Sequence, residues 1–465
     1  MLKIFNSLTK KKENFKPVFL NHVNMYVCGV TVYDLCHIGH GRTFIIFDLI
    51  ARYLRYCGYT VTYVRNITDI DDKIINVSYK KHKCMNFFVN SMINEMHKDF
   101  TELNILPPDK EPRVTNYIPV IIQMITELLN SNHAYISKEG NVFFSVDSDI
   151  NYGVLSGQFL KYLRSGKRIC NKGIIKKNKL DFVLWKVSKK NEPYWCSPWG
   201  KGRPGWHIEC SAMSRDLLGK TLDIHGGGSD LLFPHHENEI SQSTCVNKSI
   251  YANYWIHSGM VIIKNKKMSK SLGNVFFLRD ILNKYDSEII RYYLLSTHYR
   301  QPLLYSEEVL KQSSISLIRL YRALYSTNYK DTLFRHSIFE LEFRNAMNDD
   351  FNVPLVFSIL SNLAKKINVL KIQKDSIEVN KLASVLCFLG NQLGLLYKNP
   401  HDFFKKQTKF QKIDITTIEK MLYIRNNARK LKNWTQADNI RKYLFSLDII
   451  LEDNQNDTFW YSIKK

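Results

Sequence analysis

A chain of 465 residues is too long for a single hydrophobic core and predicts about two to four domains. Apolar residues at 45% and charged residues at 23% exclude a disordered chain, and nine scattered cysteines without a Cys-x-x-Cys pair exclude a disulfide framework or a compact zinc knuckle and fit a reducing cytoplasm. The 66 Lys and Arg against 43 Asp and Glu give +23, a field that attracts polyanions such as nucleic acid, although a chain rich in Lys, Asn and Ile carries part of that charge through composition alone. Residues 1–15 contain lysines but no apolar stretch, and no run approaches the roughly 18 uncharged apolar residues of a membrane span, so a cytosolic chain with no membrane role is expected.

In chain order, a short apolar strand over Met25 to Val27 passes through a polar turn to a helical pattern over Thr43 to Tyr56, stopped at Gly58. His37 and His40 then fall at a helix N-terminus. Its unpaired N–H groups and positive dipole end suit a triphosphate, with Gly39 permitting close backbone approach, although an ordinary capped helix fits the same residues. Thr60 to Val64 alternate as a second strand, and Arg65 to Asp72 form a polar strand end of the kind where doubly wound sheets collect ligands, which makes Thr68 an amino-acid contact or a helix cap. A helix over Ser91 to Leu103 ends before Pro107 and Pro108. From Thr115 the pattern becomes helix, strand and a long basic loop, in which lysines and arginines between Leu160 and Lys190 crowd around Gly166 and Gly173 as on a solvated surface.

The strand and helix alternation resumes at Pro204. Gly205 to Cys210 lead into a helix to Leu218, a strand covers Thr221 to Ile224, and His225 precedes Gly226, Gly227 and Gly228, which let a backbone lie flat against a nucleotide or form a plain turn. With Pro234 in the first turn of a helix, His235 and Glu239 share a face at i and i+4 and can reach one ion; His236 with Glu239 at i, i+3 competes. Tyr254 to Ile263 give another strand region before Lys267-Met268-Ser269-Lys270-Ser271, whose lysines and hydroxyls could wrap a leaving pyrophosphate.

After Ser306 long helical patterns take over: Val309 to Tyr325, Phe339 to Met347, and Val353 to Leu370 with Asn352 as its cap and Val356, Ile359, Leu360, Leu363 and Ile367 as a core stripe. A polar link over 398–412 precedes a last small unit, with helices around Ile415 to Lys432 and Thr435 to Phe445 and a strand at Ile449 to Leu451. There Trp434, near Arg429 and Asp438, can stack a splayed base and bond its edge, or anchor two helices.

Two motifs together carry a resemblance. His37-Ile38-Gly39-His40 and Lys267-Met268-Ser269-Lys270-Ser271 occur in that order, with Cys28 ahead of the first and Trp206-His207-Ile208-Glu209-Cys210 and His235-His236-Glu237-Asn238-Glu239 between them. This set resembles the bacterial cysteinyl-tRNA synthetases, of class I of the aminoacyl-tRNA synthetases, over essentially the whole chain. The resemblance implies an α/β fold with a Rossmann-like doubly wound parallel sheet in two halves, 1–115 and 201–305, split by an inserted connective domain at 116–200. An α-helical bundle at 306–400 and a small C-terminal anticodon-binding domain at 401–465 would follow.

It further implies ATP-dependent ligation of L-cysteine to tRNA(Cys) through a cysteinyl adenylate, by a cytoplasmic monomer. His37, His40, Lys267 and Lys270 would be catalytic; Gly39, His40, Gly226, Gly227 and Lys270 would meet ATP, which carries Mg²⁺; Gly29, Thr68, Trp206 and His225 would meet the amino acid. One Zn²⁺ on Cys28, Cys210, His235 and Glu239 would hold the substrate thiol, and here the motif match selects His235 over His236. Such a mixed soft and hard donor set suits zinc better than an oxygen-preferring cation, and ligands spread over three segments are unlike the paired ligands of structural zinc. Arg429, Trp434, Asp438 and Asp453 would contact tRNA. A cysteine ligase acting on a small amine would share the core without the bundle and the Trp-bearing unit. A nucleotidyltransferase sharing only the histidine motif would lack the lysine loop, and a non-catalytic tRNA-binding protein would have lost one of two signatures that are both intact.

Overall fold

The computed structural model describes residues 1–158, 176–263, 266–267, 275–329, 337–407, 415–447, 449–453 and 458–462. Its centre is a parallel sheet of β1 (His22–Thr31), β2 (Thr60–Thr68), β3 (Leu222–Gly228) and β4 (Ala252–Ser258), in the order β4-β3-β1-β2. From β1 the chain crosses through helix α1 (Ile38–Tyr56) to β2 on one side; after the insertion it returns through α2 (Ile208–Leu218) to β3 on the other side of β1, and α3 (Glu237–Asn247) then leads to β4. This reversal opens a crevice beyond the carboxyl ends of β1 and β3, where ligands of open α/β sheets bind.

The predicted strand at Met25 to Val27 is the middle of a longer one. Polar Asn24 is accommodated because its side-chain amide donates to Leu218 O at 3.2 Å and its backbone N–H to Asp223 Oδ2 at 2.7 Å. Successive residues of β1 serve opposite faces: Met25 and Val27 join α1 and the helical bundle in one core, while Tyr26 and Cys28 join the insertion and α2 in another. Between Val27 and Val30 the pairing with β2 is irregular. Gly29 there donates its N–H to Asn66 Oδ1 at 2.9 Å, and a Cβ on it would fall 1.5 Å from the Asn66 carbonyl oxygen, so only glycine fits the bulge that aims Cys28.

The insertion is helix Ile118–Asn130 packed with a five-stranded antiparallel sheet, in which Ala134–Ile136, Val142–Phe144, Phe182–Val187, Gly200–Pro204 and Trp195–Ser197 lie in that spatial order. Of its basic stretch, 159–175, with Gly166 and Gly173, lies outside the described residues. Beyond β4, strand Val261–Ile263 pairs with Lys266–Lys267 and with Leu303–Tyr305. The bundle contains Glu307–Leu324, Ile338–Asn348, Val353–Gln373 and Ser376–Gln392, the last not foreseen by periodicity. By length and composition Val353–Gln373 could cross a membrane, but its stripe of Val356, Leu360, Leu363 and Ile367 is buried in the shared core. The predicted helix at Ser91 begins earlier, at Met85, and a hairpin of Lys3–Asn6 with Lys11–Asn14 precedes β1. In the terminal unit, helices Ile415–Lys430 and Trp434–Ser446 enclose a small core of their own with the hairpin Ile449–Asp453 and Thr458–Ser462.

Arg291, on helix Ser287–Leu295, is fully buried where sheet and bundle meet. Its guanidinium donates to the carbonyls of Leu393 (2.7 Å), Leu103 (3.0 Å) and Asn104 (2.9 Å), and it pairs with the buried carboxylate of Asp48 on α1. Truncation would leave Asp48 charged in the interior with Arg52 as its remaining cation. Arg291→Met should therefore destabilise the protein by about 3–5 kcal/mol, read as a lowered urea midpoint, whereas an unchanged midpoint would show that the pair contributes nothing.

Candidate active site and metal centre

Four potential ligands converge at the head of the crevice. Cys28 comes from the bulge in β1, Cys210 from the first turn of α2, and His235 and Glu239 from the entry to α3. Cys28 Sγ lies 3.6 Å from Cys210 Sγ, 3.5 Å from His235 Nε2 and 3.2 Å from Glu239 Oε1, and all four residues are buried. Zinc bonds of about 2.0–2.3 Å in a tetrahedron require ligand separations of roughly 3.3–3.8 Å, so this donor set fits zinc with little movement. The hydrogen bond from Cys28, against the opposing effect of burial, brings the Cys210 thiol down to about 6, and burial pushes Cys28 well up. Burial works against the charge on His235, but the adjacent Glu239 carboxylate raises it to about 10. Without metal the cluster thus holds protons on Cys28 and His235 that a cation would displace.

The entry to α3 differs from expectation. Pro234 does not open the helix: Phe233 is extended (φ −139°, ψ 132°), Leu232–His236 forms a single π-type turn, and α3 begins at Glu237. His235 and Glu239 still meet, Nε2 to Oε1 at 2.8 Å. A second set, Cys28, His225, His236 and Glu239, is equally close-knit. Cys210 and His235 line the cavity described below, whereas His225 and His236 are buried behind it. His236 turns its Nδ1 to His257 Nε2 at 2.8 Å, and His225 Nε2 meets Glu239 Oε2 at 2.9 Å, an arrangement that orients the carboxylate. Between the ligands, Glu237 accepts the backbone N–H groups of Gly153 (3.0 Å), Leu155 (3.3 Å) and Ser156 (2.8 Å), which pins the start of α3 to the insertion.

A cavity of about 290 Å³ runs from this cluster to the start of α1. Gly29, Thr68 and Trp206 line it, and Trp206 is 41% exposed with its ring 4.8 Å from that of His235. His225 is buried beside the cluster, its Nε2 3.8 Å from Cys28 Sγ and its ring enclosed by Tyr26, His236 and Trp255. Gly226 and Gly227 do not line the cavity. A Cβ on Gly226 would strike Phe47 of α1 at 2.3 Å and one on Gly227 would meet His236 at 3.0 Å, so these glycines admit neighbouring rings to β3, and Gly228 alone of the three reaches the cavity. Asp230, Tyr33 and Lys73 also line the cavity and were not singled out from the sequence. The turn after the glycines could have flagged Asp230; nothing in the local pattern marked the other two.

At the far end, α1 starts at Ile38, ahead of the predicted Thr43, because His37 is its N-cap. The two histidines cap each other: His40 N–H donates to His37 Nδ1 at 3.3 Å, His37 N–H donates to His40 Nδ1 at 3.2 Å, and the rings stack at 3.6 Å. With both Nδ1 atoms accepting, each neutral ring carries its proton on Nε2 and is a donor there. The turn is held by Ile38 N–H on Phe276 O (3.0 Å) and Leu278 N–H on Cys36 O (2.9 Å), which joins it to the segment following the lysine motif. Lys267 lies in the strand Lys266–Lys267, while Met268 to Ser271, with Lys270, lie outside the described residues.

In the terminal unit, Trp434 opens its helix and is 58% exposed, so it does not anchor two helices; Asp438 is exposed on the same helix. Arg429 and Asp453 pair with each other at 2.7 Å, and Arg425 grips the same carboxylate through both oxygens, holding Asp453 down at about 2.

Residues 14–315 match the family model of the class I (C) tRNA synthetase catalytic domain, and 342–397 that of the DALR domain. The chain is 58% identical over 465 residues to the cysteine–tRNA ligase of Buchnera aphidicola subsp. Acyrthosiphon pisum (strain Tuc7), covering all of both. It is 54% identical to that of Pasteurella multocida (strain Pm70), covering 99% of each. In fold it is similar to the crystal structure of Mycobacterium tuberculosis methionyl-tRNA synthetase bound by methionyl-adenylate, with a TM-score of 0.57 and 13% identity over 81% of this chain and 90% of that one. The chain belongs to the cysteine–tRNA ligases, a family of class I aminoacyl-tRNA synthetases.

Proposed function

We propose that the chain ligates L-cysteine to tRNA(Cys) in two steps. In the first, a carboxylate oxygen of cysteine attacks the α-phosphorus of ATP, the bond to the bridging oxygen breaks, and pyrophosphate leaves with its Mg²⁺. In the second, a hydroxyl of the terminal tRNA ribose attacks the acyl carbon of the cysteinyl adenylate and AMP leaves. The observation that carries this reading is one cavity with a soft-and-hard ligand cluster at one end and the paired His37 and His40 donors at the other.

The Nε2–H groups of His37 and His40, with the N-terminus of α1, are placed to stabilise charge on the phosphate, since phosphoryl transfer depends chiefly on positioning and electrostatics. Thr68 and Trp206 form the wall along which the amino acid would lie, and Thr68 is itself held by the buried Glu209 at 3.4 Å. Lys267 and Lys270 are assigned to the leaving pyrophosphate from their motif. Cys28, Cys210, His235 and Glu239 would hold one Zn²⁺, which when bound supplies the distinction between a thiol that ionises readily and a hydroxyl that resists it. An apolar pocket would separate cysteine from serine by only about 1–3 kcal/mol. Trp434 and Asp438, backed by the Arg429–Asp453 pair, are assigned to a splayed base of the tRNA.

Pyrophosphate exchange over a panel of amino acids tests the reaction: incorporation with cysteine alone supports it, and comparable incorporation with serine sinks it. His235→Ala should lower kcat/KM for cysteine by at least the roughly 10- to 100-fold seen when a ligand's hydrogen-bonding partner is lost. In cobalt-substituted protein a sulfur-to-metal charge-transfer band should grow when cysteine is added; an unchanged spectrum with normal activation would make the metal structural. Trp434→Ala should reduce tRNA charging by about 10-fold or more, the worth of a stacked base, with exchange untouched; equal charging would remove Trp434 from recognition.

A further inference from the structure

Among the described residues, Lys73 is the only lysine or arginine that lines the cavity. It sits in the first turn of helix Asp72–Lys80, exposed, with its ammonium 5.2 Å from the ring centroid of Tyr33, which also lines the cavity. The acids that surround it in the chain are all committed elsewhere. Asp71 folds back to accept the backbone N–H of Lys73 at 2.8 Å. Asp72 is held by Lys186 at 2.7 Å and by Arg203, both from the sheet of the insertion. Asp69 accepts the N–H (3.0 Å) and hydroxyl (2.6 Å) of Thr115. Glu209 is buried behind Thr68, and no described residue makes an ion pair or hydrogen bond with the Lys73 ammonium.

A lysine flanked by two aspartates would ordinarily fold onto one of them. Here Asp72 is paired with Lys186 and Arg203 while Asp71 caps the helix through Oδ1, and the cation lies on an aromatic face that a harder anionic partner displaces readily. The remaining donors at that end, His37 and His40, cap each other through Nδ1, and Lys73 is the one lysine or arginine on the described wall. A cation there would add to the motif lysines assigned to the leaving pyrophosphate. Attack of a carboxylate on a phosphate brings two anions together, and acyl transfer brings a polyanion against a phosphate ester.

We propose that Lys73 binds a phosphate oxygen at the cavity mouth, either on the α-phosphate of the nucleotide or on the 3′-terminal phosphodiester of the tRNA. This rests on the two-step ligation proposed above. Tyr33 holds the ammonium at the mouth between turnovers, and the pairing of Asp72 with the insertion keeps the neighbouring carboxylate from competing.

The test uses the full-length chain with Lys73→Met, which keeps the stem and removes the charge, and Lys73→Arg, which keeps the charge. Cysteine-dependent pyrophosphate exchange, single-turnover transfer from preformed adenylate to tRNA, and thermal melting are measured on each. Lys73→Met should lose about 10-fold or more in at least one step at an unchanged melting temperature, with Lys73→Arg restoring most of the loss. Loss confined to exchange assigns the α-phosphate; loss confined to transfer assigns the tRNA phosphodiester. Both rates within about twofold of the unmodified chain would overturn the proposal, as would a loss that Lys73→Arg shares and that follows a lowered melting temperature. Absence of cysteine-dependent exchange in the unmodified chain would instead overturn the ligation reading.

Discussion

Burying the carboxylate of Glu239 completely would cost several kcal/mol were its charge not met, and the centre of the protein is arranged to meet it. His235 Nε2 lies 2.8 Å from one oxygen and His225 Nε2 2.9 Å from the other; Tyr251 donates its hydroxyl at 3.2 Å, and Cys28 Sγ lies 3.2 Å away. The partners come from β1, β3, the turn before α3 and the residue preceding β4, so the carboxylate ties together the strands on either side of the reversal in the sheet. Against the penalty of burial, the charges of His225 and His235 hold Glu239 well below the usual carboxylate range. The same geometry leaves Cys210 and His235 facing the cavity, so the side chains that surround a buried charge also form part of the cavity wall.

The alternation of β1 explains how a long chain concentrates on so small a site. Met25 and Val27 face one core and Tyr26 and Cys28 the other, so each large unit, bundle or insertion, packs against its own side of one strand. The site lies where that strand breaks register, and the break depends on Gly29 because the Asn66 carbonyl occupies the space a side chain would take. Glu237 adds a second attachment on the insertion side, since its buried carboxylate accepts three backbone N–H groups of 153–156.

The parallel sheet, the insertion and the bundle were legible because they rest on signals carried by many residues. The stripe Val356, Ile359, Leu360, Leu363 and Ile367 announces a buried helix whatever its neighbours are. The i, i+4 spacing of His235 and Glu239 was legible for the same reason, and it survived a backbone that disagreed with the expected role of Pro234. Illegible were features fixed by contacts distant in sequence. Whether a glycine lies against a nucleotide or admits a ring depends on what packs on it, and Phe47 and His236 are invisible from Gly226 and Gly227. His225 reads like a cavity residue by its neighbours, yet in a strand its side chain points to whichever face the register dictates. Lys73 and Asp230 carry no periodic signal, and only the fold brings them to one opening. Helix Ser376–Gln392 was missed although Val379, Leu382, Leu386 and Leu389 recur on one face at helical spacing.

The helix that presents His37 and His40 is held on both flanks by the chain that follows the lysine motif. On one side the backbones of Cys36 to Ile38 and Phe276 to Leu278 are hydrogen-bonded, and Gly41 leaves just enough room for Leu278, whose Cδ2 would lie 2.7 Å from a Cβ there. On the other, Arg42 of α1 donates to the carbonyls of His298 and Gln301 at 3.3 and 2.5 Å. The adjoining Tyr299 and Arg300 are held by Asp350 of the bundle at 2.7 and 2.8 Å, and Asp350 also accepts the N–H of Phe5 at 2.8 Å. Asp350 and Phe351 adopt left-handed backbone (φ +60° and +54°) to make this contact, a conformation non-glycine residues hold only when surrounding structure enforces it. Asp350 is thus linked to the His37 and His40 end of the cavity through the 298–301 segment and Arg42. The two ends of the cavity are tied to different parts of the chain: Cys28, Cys210, His235 and Glu239 to the insertion through Glu237, the histidine pair to the bundle turn through Arg42 and Asp350.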